Sequence, residues 1–130
     1  MRSVVKSRTY IVEVSFLVAA STHAVWQQVA DVYSWRNFAG TKLEYQVMDR
    51  EPESYLSYQV VSGLPTRDHT GRVELRETSR ATTEIVWTER FRPRTPLTGG
   101  LLRTQIESHL VAAVRRIDEV VTADAPRSDL

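Results

Sequence analysis

The stretch YLSYQVVSGLPTRDHTGRVEL, residues 55–75, decides the fold, because apolar and polar residues alternate along both of its halves. A period of two is typical of strands that bury one face, so we expect two neighbouring strands here. In the second strand His69 and Gly71 begin the inward row that Val73 and Leu75 continue. This row indicates either a strand end that runs out into water or an interior cavity that takes a polar group.

Similar alternation recurs before and after this stretch. Ser21 or Thr22 is placed to begin a short helix, and DVYSWRNFAG, residues 31–40, has the pattern of a second short helical turn. Strands are predicted over 9–18, 42–49, 54–61, 67–77 and 82–91.

A long amphipathic helix is expected near the end of the chain. Thr95 and Pro96 resemble a helix cap and a first helical position, and two glycines at 99–100 weaken the helix there. We therefore expect the helix to begin firmly at Leu101 and to run to about Val121. One apolar stripe follows it, formed by Leu102, Ile106, His109, Leu110, Ala113, Val114, Ile117, Val120 and Val121.

The 130 residues fit one domain, placed at 1–122, followed by a flexible tail at 123–130. A formal net charge of +1 gives no overall attraction to nucleic acid or to a membrane surface. The absence of cysteine excludes disulfides and is consistent with a reducing cytoplasm. The three histidines lack metal-site spacing and no nucleotide-binding motif is present, so neither a metal nor a cofactor is expected. No apolar run is long enough to predict a transmembrane segment.

The order of elements and several stretches resemble the START-like (SRPBCC, helix-grip) superfamily, in particular its polyketide cyclase/dehydrase and lipid-transport branch. The resemblance rests on STHAVWQQVADVYSWRNF (21–38), on residues 55–75, on TEIVWTERFRPRTPLTGGLL (83–102) and on the closing helix. It implies an α+β fold with a curved antiparallel sheet around one long C-terminal helix, and two short helices after the first strand. It also implies a pocket between helix and sheet for a lipid, a quinone or a polyketide-like molecule.

One departure from the resemblance concerns the sheet. Similar proteins have a further β-hairpin before the strand at 42–49, and about a hairpin's worth of chain is absent here. We therefore expect about five strands and an open flank. Three outcomes are open for this flank: a wider pocket mouth, a collapsed pocket, or cover by a second copy of the chain.

His69 and Glu89 are the candidate polar pair. Two registers of the hairpin keep the inward faces matched, and they place Gly71 opposite either Trp87 or Glu89. A glycine opposite a large ring favours the first register, which also places His69 directly opposite Glu89. A carboxylate beside an imidazole suits proton transfer, so these two are the candidate catalytic residues.

Other residues on the inward faces would line the pocket. Tyr45 and Tyr58 would either bond the ligand or bond backbone in a filled core, and a lone His109 on an apolar stripe is often a core residue. The expected ligand-binding set is Tyr45, Tyr58, His69, Val73, Ile85, Trp87, Glu89, Ile106, His109, Leu110 and Ala113.

Three functions remain open at this point. The first is a carrier or binding protein for a hydrophobic small molecule, located in the cytoplasm. The second is a cyclase or dehydratase that uses His69 and Glu89 as acid and base. The third is an interaction module that docks a partner, such as a second copy in a homodimer, through its open sheet edge.

Overall fold

A computed structural model describes residues 8–30, 37–38 and 41–123. Two helices and seven strands lie in these ranges. In chain order they are β1 (Tyr10–Val18), α1 (Thr22–Val29), β2 (Asn37–Phe38), β3 (Thr41–Lys42), β4 (Glu44–Glu51), β5 (Tyr55–Ser62), β6 (Thr66–Ser79), β7 (Thr82–Pro93) and α2 (Gly99–Ala123).

The main sheet confirms the five predicted strands. All are antiparallel, in the order β1-β7-β6-β5-β4. From β4 to β7 each strand pairs with the next one along the chain, and β1 pairs with β7. A separate two-stranded ladder pairs β2 with β3 between α1 and β4 along the chain. The architecture is therefore α+β, with one curved sheet and one long C-terminal helix.

The first helix has the predicted cap. The side chain of Ser21 accepts a hydrogen bond from the backbone N–H of Ala24, which satisfies a donor that the first helical turn leaves open. Val25, Trp26 and Val29 are buried on one side, so this face anchors α1 on the core.

The second predicted short helix is not confirmed. Most of 31–40 lies outside the described residues, and the two described positions, Asn37 and Phe38, form β2 instead of helix. Their antiparallel pairing with Thr41–Lys42 supplies the backbone partners that a helical turn would otherwise supply. The predicted tail at 123–130 also lies outside the described residues, except that Ala123 still belongs to α2.

The long helix begins two residues earlier than predicted. Thr98 accepts from the backbone N–H of Leu102 through its carbonyl and donates from its own hydroxyl to the Thr95 carbonyl, so 95–98 is a turn and not a helix cap at Thr95. Gly99 is buried against Tyr10, where a Cβ would overlap the phenol ring. Close packing on β1 thus explains a glycine at the helix start.

The core lies between the inner face of the sheet and the apolar side of α2. The helix makes its closest backbone approach to β1 and β7, at one side of the sheet. Neither of the described helices combines the length and the apolarity needed to cross a bilayer. The buried stripe of α2 follows the predicted pattern. It consists of Leu102, Ile106, Leu110, Val114, Ile117 and Val121.

Candidate functional site

One row of residues across three strands builds the centre of the inner face. Tyr58 on β5 pairs with Gly71 on β6, and Gly71 pairs with Glu89 on β7. Because Gly71 has no side chain, the Tyr58 ring extends over it and its hydroxyl reaches the carboxylate of Glu89. The glycine in the inward row therefore makes room for a contact between its two neighbouring strands.

The preferred register of the sequence analysis is wrong, although the contact between His69 and Glu89 that it implied is present. Gly71 lies opposite Glu89, and Val73 lies opposite Trp87. His69 is then diagonal to Glu89, within reach of a long side chain on the same face. Its ring also lies 5.6 Å from that of Phe91, measured between centroids.

A β-bulge at the start of β6 decides which side chains face inward. Between Arg67 and Thr70 the strand has one residue more than β7 opposite, and Asp68 adopts a left-handed backbone with φ of 49°. Arg67 and Asp68 therefore both point outward, while Thr66 and His69 are both buried. In a regular strand of the same sequence Arg67 would point inward in place of Thr66.

The buried polar groups form one hydrogen-bonded chain. The indole N–H of Trp87 donates to the hydroxyl of Tyr58 at 2.8 Å. Because an indole is a donor only, the proton of Tyr58 goes to Oε2 of Glu89. Oε1 of Glu89 lies 2.5 Å from Nε2 of His69, and Nδ1 of His69 lies 3.0 Å from the hydroxyl of Thr66. We call these five residues the polar network.

The polar network is buried, and its members hydrogen-bond one another. His69 is 1% exposed and Glu89 is 5% exposed. Buried charges are costly unless they are paired, which this arrangement provides. Among the described residues no buried side-chain polar atom lacks a partner. Which of the two ring nitrogens of His69 donates and which accepts depends on the tautomer of the imidazole.

Burial keeps the neighbouring titratable groups neutral. Desolvation, with the nearby charge of Glu89, raises the pKa values of Tyr58 and Tyr45 above the usual 10.0. Burial lowers the pKa of His109 below its usual 6.5, and Glu89 opposes that shift in part. Since His109 lies on α2, the carboxylate acts across the space between helix and sheet.

The structure brings the predicted site residues together, and their roles as ligand contacts stay predictions. Tyr45, His109 and Ala113 are half-buried, whereas the others are buried: Tyr58, His69, Val73, Ile85, Trp87, Glu89, Ile106 and Leu110. Sequence reasoning missed Thr66, because the bulge moves it inward against the period of two. The pair Arg67–Asp68 gives only a weak indication of this bulge in the sequence. Aspartate tolerates a left-handed backbone, but its presence does not require one.

A surface groove of about 450 Å³ lies on the opposite, convex face of the sheet. Outward side chains such as Glu13, Arg72 and Thr88 line it, and Tyr58 and Gly71 also border it. Among the described residues no cluster of acidic and histidine side chains could hold a metal ion.

Comparisons with known proteins identify the fold. Neither a family model nor a curated protein sequence matches the chain. A START superfamily protein from Mycobacterium smegmatis matches with a TM-score of 0.68 at 14% identity, over 84% of this chain and 97% of that chain. A point mutant of norcoclaurine synthase from Thalictrum flavum, in complex with a transition state analogue, matches with a TM-score of 0.68 at 13% identity, over 92% and 98%.

A third structure is a di-domain protein. The di-domain ARO/CYC BexL matches with a TM-score of 0.68 at 16% identity, over 85% of this chain and 45% of that chain. At such identities the likeness concerns the fold. The chain has the START-like helix-grip fold, in which a five-stranded antiparallel sheet curves around a long C-terminal helix.

Proposed function

We propose that this protein binds a hydrophobic small molecule, such as a lipid, a quinone or a polyketide-like compound, between α2 and the inner face of β4–β6, and acts as its carrier. We call this space the cleft. Its walls are Tyr45 and Tyr58 on the sheet and His109 and Ala113 on the helix.

One observation carries the proposal: side chains on both facing surfaces are only half-buried beside a fully buried network. His109 and Ala113 are four positions apart and therefore share one flank of α2. Both are half-buried, as is Tyr45 on β4, while Leu110 and Tyr58 next to them are buried. Because α2 approaches β1 and β7 most closely, we place the cleft on the other side of the helix, toward β4–β6.

The chemistry of the walls supports an apolar ligand with a polar end. Apolar area removed from water contributes about 25 cal/mol per Å², so an aromatic or aliphatic body supplies most of the affinity. The rings of Tyr45 and Tyr58 meet edge to face with centroids 5.4 Å apart and form a firm aromatic wall. A few polar groups then fix the ligand's orientation.

Native mass spectrometry of the protein purified from its own source tests the proposal. We expect a bound apolar mass in the wild type. Ala113→Phe fills the cleft and should remove most of that mass, whereas Ala112→Phe, on the exposed side of α2, should retain it. Circular dichroism checks that both variants are folded. Ala113→Val takes the place of Ala113→Phe if the larger side chain prevents folding. Equal bound mass in the wild type, Ala113→Phe and Ala112→Phe would contradict the proposal. So would the absence of a bound mass together with no affinity for added apolar compounds.

The contact between His69 and Glu89 favours one alternative, an acid–base enzyme of the cyclase or dehydratase type. Under that hypothesis His69→Ala lowers turnover by about 10²–10⁴-fold. Under the carrier hypothesis the same change weakens binding by only about 1–2 kcal/mol. Both ring nitrogens of His69 already bond protein atoms, which favours the carrier.

Assembly and location complete the proposal. β4 is an edge strand of the main sheet and exposes Val47 and Met48, which favours pairing with a second copy as a homodimer. Light scattering measures the mass directly, and a monomer at micromolar concentration would contradict the homodimer. We place the carrier in the cytoplasm, in keeping with the absence of cysteine.

A further inference from the structure

The charges around the cleft are unbalanced. Five titratable side chains lie together around it: Tyr45 on β4, Tyr58 on β5, His69 on β6, Glu89 on β7 and His109 on α2. Burial keeps both phenols and His109 neutral at pH 7. The only acidic group among these five side chains is the carboxylate of Glu89, and none of the five is an arginine or a lysine.

No described arginine or lysine side chain lies inside the cleft beside Glu89. Every arginine whose side chain the structure describes is exposed. The bulge turns Arg67 outward, and Arg94, which donates from Nε to the backbone carbonyl of Thr66, is itself exposed and screened by water. A ligand in the cleft thus meets a buried carboxylate without a buried guanidinium or ammonium group beside it.

From this charge pattern we propose that the ligand carries a hydrogen-bond donor, a hydroxyl or an amine, at the end that reaches Glu89, and that carboxylic acids are excluded. The inference rests on the proposed function and narrows its ligand class. At an effective dielectric of about 20, repulsion by Glu89 lowers the affinity of a second carboxylate at least about tenfold, and an ammonium group gains a similar factor. A hydroxyl is neutral, so it is neither repelled nor attracted as an ion, and it donates a hydrogen bond to Glu89 or Tyr45.

Three probes with one aromatic body and different polar ends test the inference. Naphthalenemethanol, naphthylmethylamine and naphthoate are titrated into the wild type at pH 7 and low salt, with binding followed by calorimetry. We expect the alcohol and the amine to bind at least about tenfold more tightly than the acid.

Two matched variants attribute the preference to one carboxylate. Glu89→Gln removes the charge but keeps an oxygen that accepts from Tyr58 and an amide that donates to Nε2 of His69, so the network persists. It should bring the amine and the acid to within about threefold of each other. Glu107→Gln removes a carboxylate from the outer side of α2 and should leave the preference unchanged.

The outcomes separate the inference from the proposed function. Tightest binding of naphthoate, equal binding of the three probes, or an unchanged preference in Glu89→Gln would overturn the inference and leave the carrier standing. Binding of none of them would overturn the inference, and together with no bound mass in native mass spectrometry it would overturn the proposed function as well. Should Glu89→Gln fail to fold, the order of the three probes on the wild type decides alone.

Discussion

Replacing Gly71 with alanine gives the sharpest test of the site's construction. An added Cβ would overlap the ring and the hydroxyl of Tyr58, which must then move away from Glu89. Overpacking a filled core costs about 1–3 kcal/mol, and a lost hydrogen bond to a charged group costs about 1.5–3 kcal/mol. Alanine returns about 0.5–1 kcal/mol through the more restricted unfolded chain. We expect Gly71→Ala to lower the free energy of unfolding by about 2–5 kcal/mol.

Urea unfolding followed by tryptophan fluorescence measures this cost. The midpoint should fall while the slope of free energy against urea stays constant, because the change concerns the native state. Gly100→Ala is the matched control, since nothing lies within 4 Å of a Cβ added there. In an exposed helical position this control should gain up to about 1 kcal/mol.

A double-mutant cycle tests whether the cost acts through Tyr58. Tyr58→Leu removes the ring that the new methyl group would strike, so Gly71→Ala should cost less in that background by at least about 1 kcal/mol. Additivity of the two changes within about 0.5 kcal/mol, or a single-variant cost below about 1 kcal/mol, would refute the reasoning.

Three further predictions follow from the same structure. Gly99→Ala should destabilise the fold by about 1–3 kcal/mol in thermal or urea unfolding, since its Cβ would overlap the ring of Tyr10; a neutral effect would contradict that packing. The pKa of His109 is lowered in the folded state, so its contribution to stability is present above pH 6.5 and is lost as the pH falls through the folded pKa. NMR titration of its ring should give a midpoint below 6.5, and a midpoint above 6.5 would show that the charge of Glu89 dominates over burial. Ser21→Ala should cost about 1 kcal/mol of unfolding free energy by removing the cap on the Ala24 N–H, and no loss would mean that water replaces the cap.

The sequence predicts which residues face inward, because burial of one face imposes a strict period. Alternation places His69 and Gly71 inside, and the helical period places Ile106 and Leu110 on the stripe that packs on the sheet. The fold follows from these faces together with the order of the elements. The start of α2 was harder to predict, because the packing of Gly99 on Tyr10 is a contact between distant parts of the chain.

The pairings within the site depend on details that periodicity leaves open. A glycine next to a large ring was the right criterion, but the ring belongs to Tyr58 on β5 and not to Trp87 on β7. A strand has two neighbours, and the criterion does not distinguish between them. The bulge at Asp68 then changes which residue joins His69, and a single positive φ leaves little trace in the sequence.

The extra residue in β6 has a consequence for how this scaffold can change. Arg67 and Asp68 both point outward, so loss of the Asp68 codon would leave Thr66 and His69 inward in a strand of regular parity. What would change is curvature, since a bulge bends its strand and increases the local twist. Deletion of one residue can thus change the curvature of β6 while its inward-facing residues stay the same. The shape and the chemistry of the site can therefore evolve separately.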